Sequence, residues 1–267
     1  MRKLKKVSSV KGIESLTLKT PEKNKEKLAC NFCDVEYCTK KGKTVKNIDS
    51  DILVHSDAGS AFGKMDIDVN EIGLDSMGFT SHKIHGPKGI GGLFLKEDVE
   101  IEPLMTGHHS TSDVRPGLEN VPGIVGFRKA VEIEENERIE SKDHVRKLQK
   151  KLMKGIEENI DNIKLNGPKD LNKRSPYNVN YSFLGAEGEA IALRLDEENI
   201  QVDTGSACAS PDLEPNYVLL SMGRKLEESH GSIKMSLSRF NTEEEIEEVI
   251  DNLEEVIKDL RSISSIN

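Results

Sequence analysis

The 267-residue sequence lacks the features that define membrane-spanning, secreted or nucleic-acid-binding proteins. Its nearest approach to an apolar run is Ile90–Leu95, which is far too short to span a bilayer. Basic residues at positions 2–6 are not followed by an apolar segment, so the pattern does not predict a secretory signal. The net charge of -9 argues against sequence-independent binding to nucleic acid, which needs a basic surface. We therefore expect a cytoplasmic protein that binds neither membrane nor nucleic acid.

Cysteine is also scarce, with four residues in the chain: Cys30, Cys33, Cys38 and Cys208. In a cytosolic protein of this size they are expected to be reduced thiols, ligands or nucleophiles rather than a disulfide framework. The first three have C-x2-C-x4-C spacing, which could hold zinc or an iron–sulfur cluster. A reduced linker is the alternative, because a second ligand pair is missing. Cys208 lies in a small, polar segment that suits an exposed nucleophile, whereas a free cysteine is more commonly buried.

The remaining composition is typical of a globular α/β protein, with 35% apolar and 32% charged residues. Three segments differ in texture. Residues 1–48 are rich in lysine and cysteine and lack sustained periodicity. Residues 49–120 contain short apolar runs separated by glycine-rich turns, and residues 121–267 alternate helix and strand.

Short apolar runs bounded by polar residues predict strands at 52–54, 74–79, 89–95, 178–184, 200–203 and 232–237, the last as an edge or half-buried strand. Helices are predicted at 141–160 and, briefly, at 191–195. A capping box of Thr242 and Glu245 starts a final amphipathic helix. Polar groups follow the first two strands, and ligands gather at such strand ends in α/β sheets.

Lys83 follows one of these strands and precedes a turn that contains glycine and proline. A lysine that is held still and partly desolvated can bind an aldehyde cofactor covalently. A solvated turn lysine is the alternative. Asp57, at the end of the preceding strand, could pair with a protonated pyridine nitrogen. Thr80 and His82 flank the lysine and could donate hydrogen bonds to a phosphate.

Several motifs in matching order and spacing make the chain resemble the cysteine desulfurases, a class V aminotransferase-like family of pyridoxal phosphate (PLP) enzymes. The resemblance runs from about residue 50 to about residue 262 and covers roughly the C-terminal two-thirds of the family. It is carried by His55–Ala58, Phe62–Lys64, Ser81–Ile84, Gly86–Gly91, Arg115–Gly117, Glu119–Phe127, Gly205–Cys208, Leu213–Pro215 and Tyr217–Leu219.

The resemblance implies an α/β fold of the aspartate-aminotransferase type, fold type I. It further implies a truncated large domain with a mostly parallel sheet at 49–120, a small α/β domain at 121–267, and a homodimer. Lys83 and Cys208 would be the catalytic residues. The positions that would bind PLP are Asp57, Ser60, Thr80, His82 and Lys83, and those that would bind substrate are Lys234 and Arg239. Ser60 and Lys234 depart from the family, which has a glutamine and an arginine there.

The implied reaction converts L-cysteine to L-alanine and leaves a persulfide on Cys208. It would supply a sulfur acceptor, such as an iron–sulfur scaffold protein, for the assembly of iron–sulfur clusters or other sulfur-containing cofactors. The part of the family that precedes Asp57 is not recognisable in residues 1–48, so a complementing N-terminal half is an expected partner besides a second copy. The alternative is a non-catalytic or split-gene fragment that acts as a sulfur- or metal-handling interaction protein.

Overall fold

The structure, a computed structural model, describes residues 44–103, 105–107, 114–204 and 216–263. Within these ranges the chain divides into two compact units, with the division between residues 138 and 139. The sequence-based boundary at 120/121 stays a prediction. In the described ranges, no helix combines the length and the apolar character that a membrane span requires.

The first unit contains a three-stranded sheet in the order β1-β2-β3. Strands β1 and β2 are parallel, with Asp57 opposite Gly78. Strands β2 and β3 are antiparallel, with Thr80 opposite Gly91. The elements are β1 (His55–Asp57), α1 (Val69–Ile72), β2 (Ser76–Thr80), a 3-10 turn (His82–Ile84), β3 (Gly91–Leu95) and the first half of α2 (Val121–Asn159), preceded by a helical stretch at 44–48.

A small apolar core lies against one face of this sheet and contains the buried residues Ala58, Ile72, Leu74 and Met77. Three aromatic rings extend it. The rings of Phe62 and Phe79 stack with centroids 4.4 Å apart, and the ring of Phe127 on α2 meets Phe62 edge-on at 6.0 Å. Since side chains alternate along β2, Phe79 faces this core while Thr80 projects from the opposite face.

The second unit is built on a four-stranded antiparallel sheet in the order β4-β5-β7-β6. After α2, its elements are β4 (Ile163–Leu165), a 3-10 turn (Leu171–Lys173), β5 (Asn178–Phe183), α3 (Gly188–Glu197), β6 (Asp203–Thr204), α4 (Tyr217–Ser221), α5 (Leu226–His230), β7 (Ser232–Ser236) and α6 (Glu243–Ile263). Alternate residues of β5 and β7 enter an apolar core with side chains from α2, α3 and α6.

The final helix confirms its prediction. The Glu245 N–H donates to Thr242 Oγ1 at 3.2 Å, and the Thr242 N–H donates to Glu245 Oε2 at 3.1 Å. Both halves of the capping box are therefore formed. The apolar stripe of α6 enters the core through Ile246, Ile250, Leu253, Val256 and Ile257.

Two predicted elements were wrong in position, and the edge setting, one of two alternatives predicted for the strand at 232–237, was also wrong. The first strand covers 55–57 rather than 52–54, and the long helix begins at Val121 rather than at 141. Its first turns have no continuous apolar stripe to reveal them, and Pro122 is tolerated there because first-turn N–H groups have no helical partner. Strand β7 is not an edge strand, because it lies between β5 and β6.

A buried carboxylate, Glu228 on α5, forms an ion pair with Lys164 on β4 of the second sheet. Lys164 Nζ donates to Glu228 Oε1 at 2.5 Å, and the Lys225 N–H donates to Glu228 Oε2 at 3.1 Å. Burial alone would raise the pKa of Glu228, but the hydrogen bonds from Lys164 and Lys225 outweigh it and the pKa lies below its ordinary value. The carboxylate therefore contributes stability when ionised.

We expect Glu228→Gln to lower the free energy of unfolding at pH 7 by about 1–2 kcal/mol, because it leaves Lys164 without its charged partner. The contribution of Glu228 is present above the unfolded pKa of 4.5 and is lost as pH falls through the lower folded pKa. Urea unfolding of both proteins at pH 7 and in acid checks this. A stability difference that does not shrink in acid would contradict it.

Candidate functional site

Two neighbouring parallel strands end at the same edge of the first sheet, and each ends in a polar residue. Asp57 is the last residue of β1, and Thr80 is the last residue of β2. A Cβ atom added at Gly59 would lie 3.2 Å from Asp57 Oδ1 and 3.4 Å from Thr80 Cγ2. The two side chains therefore flank Gly59, whose N–H donates to Asp57 Oδ1 at 2.9 Å.

Lys83 lies in the turn that leaves β2. Thr80 Oγ1 and His82 Nδ1 are hydrogen-bonded at 2.8 Å, so the strand end and the turn share one polar cluster. Ile84 is 2% exposed and anchors the turn, while His82 and Lys83 are exposed. The Ser81 carbonyl accepts hydrogen bonds from the N–H groups of Ile84 and Gly86, which fixes the tight reversal.

Close packing against α2 holds this turn. A Cβ atom at Gly86 would lie 2.1 Å from Ser81 Oγ and 3.0 Å from the Cβ of Ala130. Ser81 is fully buried, and its hydroxyl has no hydrogen-bond partner among the described residues. The turn that carries Lys83 therefore depends on a glycine at position 86.

A second lysine, Lys64, lies beside this turn. A Cβ atom at Gly63 would come within 2.9 Å of Ile84 Cγ2 and 3.0 Å of Glu134 Cγ, so the loop after β1, the turn and α2 pack together. Burial lowers the pKa of Lys64, the buried Glu134 carboxylate partly opposes that shift, and the Lys83 ammonium adds to it. Lys83 thus has a positive charge near it.

The substrate-binding positions expected from sequence belong to the second unit. Lys234 Nζ donates to Asp203 Oδ2 at 2.6 Å, and the two residues lie opposite each other on β7 and β6. The Arg239 guanidinium lies over the ring of Phe240, with Cζ 5.0 Å from its centroid. Lys234 is therefore already paired with an acid.

The structure brings together one part of the predicted site. The set in the first unit comprises Asp57, Ser60, Thr80, His82 and Lys83, with Ser60 exposed in the turn after β1. The predicted nucleophile Cys208 and the predicted metal ligands Cys30, Cys33 and Cys38 lie outside the described residues. Sequence reasoning missed the Lys64–Glu134 pair and Asp203. The position of Asp203 at the end of a predicted strand was a signal, but its pairing with Lys234 depends on the strand register.

The chemistry of the strand-end cluster fits PLP. It combines a carboxylate for a pyridine nitrogen, a hydroxyl and an imidazole for a phosphate, and an amine for an aldehyde. Asp57, His82 and Lys83 are exposed, so the cluster is open on one side.

Comparison with known proteins agrees with this chemistry. The chain is 44% identical over 216 residues to cysteine desulfurase IscS of Clostridium botulinum, a match that covers 81% of this chain and 54% of that protein. It is 41% identical over 211 residues to cysteine desulfurase IscS 1 of Archaeoglobus fulgidus, covering 79% and 54% respectively. The chain thus spans about half the length of the curated relatives it matches.

Solved structures share the fold. A NifS-like protein superposes with a TM-score of 0.73 at 31% identity, covering 83% of this chain and 57% of the other. A NifS-like protein from Rickettsia africae gives a TM-score of 0.74 at 29% identity, with the same coverage. These likenesses confirm the predicted α/β fold of the aspartate-aminotransferase type. The family model for aminotransferase class-V matches residues 35–249, and the chain therefore belongs to the class-V aminotransferase family.

Proposed function

We propose that this chain forms the C-terminal part of a PLP-dependent cysteine desulfurase, which takes sulfur from L-cysteine and leaves L-alanine. The observation that carries the proposal is the strand-end cluster, in which Asp57, Thr80 and the turn with Lys83 meet at one sheet edge. Its occurrence in a chain 44% identical to a cysteine desulfurase supports the assignment.

Each residue of the cluster has a binding role. The Asp57 carboxylate accepts a hydrogen bond from the pyridine nitrogen and keeps that nitrogen protonated. Thr80 and His82, which are linked at 2.8 Å, donate to the phosphate. Ser60 stands where the family contacts the ring oxygen with a glutamine, and its shorter side chain does not span the same distance unaided.

Lys83 holds the cofactor through its amine and moves the proton at the substrate Cα. When bound, PLP supplies an electron sink that stabilises negative charge on that carbon. The amine must be neutral to act as a nucleophile or base.

Cys208 accepts the sulfur as a thiolate. Its sulfur forms a bond to the substrate sulfur while the bond between substrate Cβ and sulfur breaks. The electron pair of that bond passes to Cβ, which gains a proton to give alanine, and the enzyme keeps a persulfide. No external oxidant is needed. The persulfide then passes to an acceptor such as an iron–sulfur scaffold protein.

Completion of the site requires further protein. The cluster is open on one side and the chain spans about half of its relatives. We therefore propose that a segment equivalent to the unmatched half, or a second copy in a homodimer, covers the exposed face of β1 and β2. Cytoplasmic location and zinc or iron–sulfur binding by the N-terminal cysteines remain predictions.

A second candidate is a non-catalytic sulfur- or metal-handling interaction protein. The exposure of Lys83 and the pairing of Lys234 with Asp203 favour it, because both weaken a cofactor and substrate site. In this function Cys208 receives a persulfide from another protein. Release of alanine from free L-cysteine would eliminate this candidate.

Lys83→Ala should abolish covalent PLP binding, because it removes the amine. We expect the wild-type chain, alone or with a complementing N-terminal half, to show visible absorption with PLP and a borohydride-trapped adduct on the peptide that contains Lys83. Lys88→Ala, an exposed lysine of the same loop, is the control and should keep both signals. A wild-type protein that stays colourless even with the complementing half would refute the proposal, as would an adduct on another lysine.

Cys208→Ser should retain the visible PLP absorption and reduce alanine formation from L-cysteine by about 100-fold or more, because the nucleophile is lost. Cyanolysis of the wild-type protein after reaction with cysteine should release thiocyanate from the persulfide. Cys38→Ser serves as the control thiol and should leave both measurements unchanged. Equal alanine formation by Cys208→Ser and the wild type would rule out this nucleophile.

Gly86→Ala should destabilise the protein by about 1–3 kcal/mol through overpacking and weaken PLP binding, because the turn with Lys83 must shift. Ser81→Ala should be nearly neutral, since it removes a hydroxyl that has no partner in the described part of the chain. The double variant should recover part of the loss because the contact with Ser81 Oγ disappears. Denaturant unfolding and PLP titration measure both effects, and a double variant no better than Gly86→Ala would argue against this packing.

A further inference from the structure

The carboxylate of Asp203 forms an ion pair with the ammonium group of Lys234. Nζ lies 2.6 Å from Asp203 Oδ2, and the two residues face each other across the β6–β7 pairing. The side chains are 30% and 36% exposed, respectively, so solvent and small solutes reach both charges. Ion pairs of this exposure are weak in water, and a competing carboxylate can therefore displace Asp203.

The rest of the local surface offers no second charge to Lys234 among the described strand residues beside it. On its other side the register partner is Asn180, which is 2% exposed and whose Oδ1 accepts a hydrogen bond from Asn166 at 2.7 Å. Along β7 the neighbours on the same face are Ser232 and Ser236. Among these strand neighbours of Lys234, Asp203 is the charged one.

Because residue 234 is a lysine, the affinity of a ligand carboxylate for it depends strongly on whether Asp203 is paired with the same ammonium group. Its ammonium is a compact point charge that lacks the planar fork with which arginine binds a carboxylate through two parallel hydrogen bonds. A ligand carboxylate must therefore share or replace the contact that Asp203 makes. Without the aspartate, the full charge would be available to the ligand.

We propose that Asp203 is a specificity-determining residue that masks Lys234 and weakens binding of the α-carboxylate of an amino-acid substrate. The proposal rests on the proposed function for the class of substrate and adds Asp203 to the site. Asp203 acts through Lys234 and has no contact of its own with the ligand. Amino acids bind by displacing it.

The test is ligand binding by the intact chain without cofactor or turnover. L-Alanine and L-alaninamide, which differ in the carboxylate, are titrated into protein with isotopically labelled lysine, and NMR shifts of the Lys234 side chain give Kd. Asp203→Asn should tighten L-alanine binding about two- to fivefold, the range expected for removal of an exposed ion-pair competitor. L-Alaninamide binding should stay unchanged.

Matched variants separate the local pair from general charge. Glu197→Gln removes one negative charge from the surface of α3, where Glu197 pairs with Arg194, and should leave L-alanine binding as in the wild type. Asp203→Glu should restore masking. Asp203→Ser provides a second uncharged variant should the asparagine protein fold poorly. Lys234→Ala should abolish the gain in the Asp203→Asn background.

An L-alanine Kd within twofold of the wild type in both uncharged variants would overturn the proposal. Equal tightening of L-alaninamide, or no L-alanine shift in any protein, would overturn it too. These outcomes are independent of the Lys83 adduct and of alanine formation from cysteine. If those succeed while Asp203 has no effect, the desulfurase function stands and the masking role falls. If they fail while Asp203→Asn tightens L-alanine, the carboxylate site stands without the desulfurase.

Discussion

The parallel pairing of β1 with β2 is the interaction on which the candidate site depends. Because both strands run in the same direction, their carboxyl ends meet, and the last residue of each strand carries a polar side chain. An antiparallel arrangement would place Asp57 and Thr80 at opposite edges. The register matters equally, since a slip of either strand by one residue would turn its last side chain toward the apolar core.

The second constraint is tight packing around the turn with Lys83. Ile84 is buried beside it, and Gly86 approaches Ser81 and Ala130 more closely than any side chain permits. The exposed side chains of His82 and Lys83 therefore belong to a turn whose backbone is fixed by buried contacts. An exposed side chain on a fixed backbone suits such chemistry, because a reactive amine must reach its ligand while the backbone that carries it stays in place.

Local signals allowed some of this arrangement to be predicted from sequence. The capping box at Thr242 lies within one helical turn, so nearby residues determine it. The polar residues after the second apolar run lie at the end of β2, whereas those after the first run form β1 itself. The resemblance to a known family suggested roles for them. In each case the informative residues lie close together in the chain or form a recognised motif.

Tertiary contacts determined what could not be predicted. Strand β1 begins later than its apolar run because its residues are strand only where they pair with β2. Glu134 meets the loop of Lys64 because α2 extends across that loop. A contact between residues so far apart in the chain produces no periodic pattern in the sequence. Asp203 meets Lys234 through an edge strand of two residues that joins β7 out of chain order.

The position of β1 in its sheet has a practical consequence. Among the described strands, β1 has a neighbour on one side, so the backbone groups along its other side form a template for strand addition. A strand of a covering polypeptide can therefore extend the sheet along this border. The three-residue length of β1 limits how strongly any strand pairs there.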